Sequence, residues 1–164
     1  MPKTSPQVLA ALQVADDAEA TAAEKWHKQE GELKAGPKKF KGLGRWFDRR
    51  HRESYERQHD LRRHMQALGG KVATNLGDTS YYTARDLKSP EDFQRLFSDA
   101  ADTLSGLYDR HTAVTEAAEK AGDHDTCQKF FGVHHDLACQ ERKARRKATL
   151  VADIGLGEFL AKHV

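Results

Sequence analysis

Between Val8 and Trp26 the positions Val8, Leu12, Ala15, Glu19, Ala22 and Trp26 recur at alternating steps of four and three, the spacing of a helix that buries one stripe. All but one of these residues are apolar. Glu19 is the exception, and a carboxylate on a buried stripe costs several kcal/mol of desolvation unless a metal or a cationic side chain meets it. The chain must therefore fold so that another segment brings such a partner to the middle of this helix.

The composition narrows how that can happen. Charged residues make up 32% of the 164 residues and only four prolines interrupt them. Strand-forming residues seldom occur in runs, which favours an all-α fold with heavily charged outer faces. A chain of this length builds one domain with its own core. The formal charge of +2 argues against a dedicated nucleic-acid binder. The opening stretch MPKTSPQVLAAL has no leader-like apolar core, and no run approaches a membrane span, so a soluble cytoplasmic protein with no membrane partner is expected. Cys127 and Cys139 lie twelve residues apart on one predicted helix, about 18 Å at 1.5 Å per residue, too far for a disulfide.

Punctuation divides the chain into helices. The first is predicted from Thr4 or Ser5 to about Leu33, with Ser5-Pro6 as cap and first-turn proline, and Ala35-Gly36-Pro37 ends it. The second starts near Leu43 and runs to Leu68, where Gly69-Gly70 stops it. Its stripe passes through Phe47, His51, Ser54, Gln58, Leu61, Met65 and Leu68. From Lys71 to Ser89 no stripe exists, and a connection this long can cross a bundle and deliver the third helix parallel to the second. Ser89-Pro90-Glu91-Asp92 combines a cap, a first-turn proline and a capping-box acid at the start of the third helix. That helix carries Phe93, Phe97, Ala100, Leu104, Leu107, His111 and Val114 and stops near Gly122. A fourth is predicted from about Asp125 to Asp153, antiparallel to the third, and a short fifth occupies Gly157 to Val164.

This layout resembles the ferritin-like fold, and within it bacterioferritin. AEKAGDHDTCQKFF and TLVADIGLGEFLAKHV are similar to that family's last turn, fourth helix and C-terminal short helix, with IGLGEFL the most specific piece. Glu19 and Trp26 stand where the family has a first-helix iron-binding glutamate and a tyrosine. The resemblance implies one ferritin-like domain over residues 1–164: a four-helix bundle over about 5–153, a long crossover between the second and third helices, and a short helix over about 157–164. It also implies iron storage in a homo-oligomer, a 24-subunit cage in the family, and ferroxidase chemistry at a di-iron centre. On that analogy Phe159 and Leu160 of the tail are expected to pack on other subunits.

The departures are as informative. The family's centre uses a glutamate on the first helix, a Glu-x-x-His on the second, a glutamate on the third and a second Glu-x-x-His on the fourth. Here the third-helix position reads Leu104 and the fourth-helix pair reads Leu137 and Gln140, so ferroxidase activity is expected to be impaired or absent. The second helix admits two registers. In one, Glu56 and His59 join Glu19 as half a metal site. In the other, set by Leu61, Met65 and Leu68, the metal positions become Ser54 and Arg57, and the Arg57 guanidinium makes a forked pair of hydrogen bonds to Glu19. The family's haem-ligating methionine reads Arg57 or Tyr55, so iron is admitted as a cofactor but haem is not expected. Two function classes follow: an iron-storing cage subunit, alone or mixed with a ferroxidase-competent chain, or a metal-free structural or interaction protein that keeps the assembly surfaces.

Other groupings carry less. A one-residue slip of the fourth helix would turn Asp136 and Cys139 inward beside His134 and His135, but the apolar pattern points Leu137 there instead. His111 lies on the third-helix stripe, where a hydrogen-bonded core histidine is the ordinary reading. The basic stretches Arg45, Arg49, Arg50, Arg52 and Arg142, Lys143, Arg145, Arg146, Lys147 read as solvated faces or salt-bridged surfaces.

Overall fold

The computed structural model describes residues 4–164; Met1–Lys3, part of the stretch read for a leader, lie outside the described residues. Helix α1 spans Pro6–Ala35, α2 Lys41–Ala67 and α3 Pro90–Ala121. They are followed by α4 His124–Phe130, α5 Val133–Ile154 and α6 Leu156–Lys162. Among the described residues there is no strand, and no helix is long and apolar enough to cross a membrane. The architecture is a ferritin-like helical bundle in which α1 packs against α2, α3 against α5, and α1 against α3.

The local signals act as their chemistry requires. Ser5 accepts from the Gln7 N–H at the start of α1. Ser89 and Asp92 close a reciprocal capping box at the start of α3, with Pro90 in the first turn. Backbone N–H groups of Lys88 and Ser89 donate to the Asp92 carboxylate and hold it at about 2, well under its ordinary value. Gly122 ends α3 at φ 69°, a left-handed conformation that costs a glycine little.

The crossover from residue 71 to 89 is tied along α1 rather than left free. Asp17 accepts from the Asn75 N–H and Thr21 from the Gly77 N–H. Buried Gln29 both donates to the Tyr82 carbonyl and accepts from its N–H, each at 2.8 Å, and Glu32 accepts from the Ala84 N–H. With Gln13 donating to the Ala73 carbonyl at 2.7 Å, five side chains of α1 thus satisfy backbone groups that a loop this long would otherwise leave to water.

Two expectations are corrected. The predicted fourth helix is two helices, because Phe131 is extended and Gly132 sits at φ 93°, a value that favours glycine. The break lets Phe130 turn inward, 3% exposed, while Phe131 is 81% exposed. It also puts Cys127 and Cys139 on different helices, both as free thiols. The tail is not left for other subunits to bury: Phe159 is fully buried in its own chain, edge-on to Phe97 with ring centroids 5.6 Å apart. Leu160 packs half-buried on the same cluster. Gly155, at φ 83°, turns the chain so that α6 folds back over the end of the bundle, a reversal that helical periodicity cannot reveal.

The core is in two pieces. One end is rich in aromatics, with Trp26, Phe40, Phe47, Phe93, Phe97 and Phe159 around Leu104 and Leu137. The other holds Val8, Leu12, Ala15, Leu61, Met65, Val114, Ala118 and Phe130. Between them lies a buried polar layer.

Candidate functional site

The polar layer is built where the stripe of α1 is interrupted. Glu19 is fully buried between Ala15 of one cluster and Ala22 of the other. On α2 the matching interruption is Ser54 and Arg57, between Phe47 and Leu61, and on α3 it is His111, between Leu107 and Val114.

Arg57 reaches across to Glu19. Its Nε–H donates to both carboxylate oxygens, at 3.0 and 2.9 Å, and its Nη2 donates to Ser54 Oγ at 3.1 Å. The contact therefore differs from the fork expected from sequence, in which two guanidinium N–H groups take the two oxygens. Ser54 sits one helical turn before Arg57 and captures the second donor group. A charge-assisted contact of this length is among the stronger hydrogen bonds a protein makes. His111 stands 3.7 Å from Glu19 Oε1 through Nε2, beyond hydrogen-bond range, and neither of its buried ring nitrogens has a protein partner.

A second buried acid lies one turn away. Asp16 is fully buried and accepts from Arg62 Nε at 3.0 Å, while its Oδ2 has no partner. Burial pushes the Asp16 carboxyl up from its ordinary value, and Arg62 pulls it the other way. Farther toward α4, His64 Nε2 lies 2.7 Å from Thr126 Oγ1, which donates to Asp123 Oδ2 at 2.6 Å. With its hydroxyl proton committed to Asp123, Thr126 accepts from His64, fixing the neutral ring with hydrogen on Nε2. Burial lowers the His64 pKa, and the positive charge of Lys129 lowers it further.

The residues singled out from sequence separate cleanly. Glu56 and His59 are exposed, and the structure does not bring them to Glu19. Packing of Leu61 and Met65 rotates both residues onto the outer face. Leu104 and Leu137, where the resemblance would place carboxylates, are fully buried apolar contacts. Gln140 is half-buried, and its Oε1 has no protein partner. Asp136 is exposed while Leu137 points inward, so the slipped register is not adopted. Cys139 instead accepts from Arg142 at 3.1 Å. A cavity of about 50 Å³ beside His111 is lined by Arg57, Asp60, Lys129, Phe130 and Val133, a set with one carboxylate against two fixed cations. Two iron ions need several bridging and terminal carboxylates. One glutamate already bonded to a guanidinium, among leucines, does not fit that group.

Neither basic stretch forms a uniform patch. Arg50 is buried, stacked 5.0 Å above the Trp46 ring and bonded to Glu53, and Arg52 pairs with Asp48. Arg145 pairs with Glu141 and Asp102, and Lys147 donates to the His163 carbonyl.

Sequence reasoning missed Asp16, Arg62, His64, Thr126 and the nearness of His111 to Glu19. A signal for the first pair existed. Once Glu19 is set opposite Arg57 on an antiparallel neighbour, stepping back one turn on α1 and forward about a turn and a half on α2 brings Asp16 within reach of Arg62.

No family model matches the sequence, and no curated protein matches it. Solved structures do match its shape. A ferritin from the multicellular green alga Ulva pertusa superimposes with a TM-score of 0.82 at 14% identity, over 98% of this chain and 82% of that one. A protein from Xanthomonas campestris pv. campestris superimposes with a TM-score of 0.68 at 14% identity, over 88% of this chain and 90% of that one. At such identities the likeness is one of fold.

Proposed function

We propose that this chain is a non-oxidising subunit of a ferritin-like assembly: a bacterioferritin-like cage component that contributes shell and has given up the di-iron centre. The observation that carries the reading is the Arg57 guanidinium bonded to both oxygens of Glu19, with Leu104 and Leu137 where further carboxylates would be needed. A fixed cation here balances the buried acid without a metal, so the mid-bundle layer serves helix register more than net stability. Iron oxidation, where the assembly stores iron, then falls to a competent partner chain in a mixed shell.

Stopped-flow absorbance after mixing the full chain with ferrous iron in air tests this reading. The expected trace has no fast phase proportional to protein, while light scattering shows a multi-subunit particle. A fast phase that saturates at a fixed iron-to-chain ratio and vanishes in Glu19→Gln would overturn the reading, as would a strictly monomeric chain.

A further inference from the structure

The antiparallel register that sets Glu19 opposite Arg57 also brings His27 and Glu30 of α1 opposite His51 of α2, on the outer side of the helix pair. One ligand atom from each of the three lies within 4.8 Å of the others. His27 Nδ1 is 3.9 Å from Glu30 Oε2, and the two imidazole rings stand 4.9 Å apart between centroids, tilted by 40°. Among the described residues no other group of three histidine, cysteine or acidic side chains converges this closely.

From this geometry we infer a metal site that is separate from the bundle centre: His27, Glu30 and His51 bind one late first-row divalent cation, with zinc the natural probe. Two imidazoles and one carboxylate are a borderline donor set, which suits zinc and its neighbours better than hard cations. Lys34 occupies Glu30 Oε1 at 2.6 Å, and Oε2 is the oxygen that faces His27. Burial, and then the neighbouring His27, lower the His51 pKa. Glu24 and Asp48 lie near enough to act on His51 electrostatically, and each neighbouring acid carries its own cation, Glu24 with Lys28, Glu30 with Lys34 and Asp48 with Arg52, so the case for the site rests on its ligand geometry.

The rearrangement required is small. Zinc bonds of about 2.0–2.1 Å place tetrahedral ligand atoms roughly 3.4 Å apart, so the three atoms must draw together by on the order of 1 Å. His27 is exposed and free to turn, whereas His51 is half-buried and held by the packing of α2. The remaining coordination positions face solvent. Such an ion ties α1 to α2 on the face opposite the core, and its binding is linked to the folded state.

The test is calorimetric titration of the chelator-stripped, untagged full chain with zinc at pH 7.5. The visible spectrum of the cobalt(II) form and the melting temperature with and without zinc accompany it. About one saturable equivalent per chain is expected, with a raised melting temperature. His27→Ala should weaken binding at least about tenfold and abolish the melting shift, and His51→Ala should do the same. Glu19→Gln should retain the site, which separates this inference from the proposal for the bundle centre. Unaltered binding in His27→Ala, loss only when His135 or Cys139 is replaced, or half an equivalent per chain would overturn it. Because His27 is exposed, its variant remains decisive even if circular dichroism shows His51→Ala to be unfolded.

Discussion

The aromatic end of the bundle and its polar middle solve the same problem with opposite chemistry. At the end, Phe97 stands edge-on to Trp46 and Phe159 and stacks with Phe47. There cohesion comes from area removed from water and from close packing. In the middle, Glu19, Arg57 and Ser54 are held by complementary charge and directed hydrogen bonds, with the buried His111 ring beside them. The end tolerates a change of shape at moderate cost and depends on volume. The middle tolerates little change of charge, because removing one partner strands the other away from water. The polar layer is therefore weak as a source of net stability and strong as a specifier of register, since sliding α2 past α1 by a turn would unpair both Glu19 and Asp16.

The difference can be broken at several points. The largest expected effect is removal of the chain from Leu156 onward, which strips Phe159 off Phe97 and opens the aromatic end. Thermal unfolding should show a much lower melting temperature, with the loss appearing within one chain and not only as a smaller particle. Phe97→Ala should cost about 3 to 5 kcal/mol in denaturant unfolding, whereas Phe97→Leu should cost clearly less. Arg57→Met keeps volume and should still cost roughly 3 to 5 kcal/mol, because Glu19 is left buried and unpaired. A cost for Arg57→Met as small as that of an ordinary isosteric swap would erase the distinction between the two regions.

Much of the architecture was readable in the chain because its signals are local. Ser5-Pro6, the Ser89–Asp92 box, Gly36 and Gly122 mark ends, and the stripeless stretch before Ser89 marks the crossover. What escaped was set by tertiary geometry. The kink at Gly132 falls inside a segment whose apolar spacing reads through it. The return of α6 onto its own bundle depends on the backbone at Gly155, while Phe159 and Leu160 read equally well as a subunit contact. Arg57 could be matched to Glu19 only because both break an apolar stripe. His27, Glu30 and His51 break none, so nothing but the relative depth of α1 and α2 brings them together. His64 hides on a stripe of large residues, and its partner Thr126 lies on a helix too short to show a period.

Smaller effects sharpen the picture. His64 is neutral in the fold because burial lowers its pKa from the ordinary value near 6.5. The unfolded chain therefore binds more protons as pH falls through 6.5. The stability this group contributes is complete above that value and is lost progressively down to its lower folded pKa. Its surroundings include Lys129 on the same side of the balance and Asp123 and Asp125 opposing it. Unfolding measured between pH 7.5 and 5 should show a slope that His64→Gln reduces; an unchanged slope would mean that His64 protonates as freely in the fold as outside it. Smallest is Ser89→Ala, which removes the cap of α3 and should cost about 1 kcal/mol, with the helix start fraying in hydrogen exchange while both core clusters stay protected.

The central claim, that Arg57 takes the charge-balancing place of a metal at Glu19, is tested most directly by a double-mutant cycle in chelator-treated buffer. Glu19→Gln, Arg57→Met and the double variant are compared with the parent by denaturant unfolding. The double variant should lose much less than the sum of the two singles, with a coupling of about 2 kcal/mol or more as expected for a buried charge pair. Simple additivity, together with loss of stability in the parent on chelation alone, would contradict it.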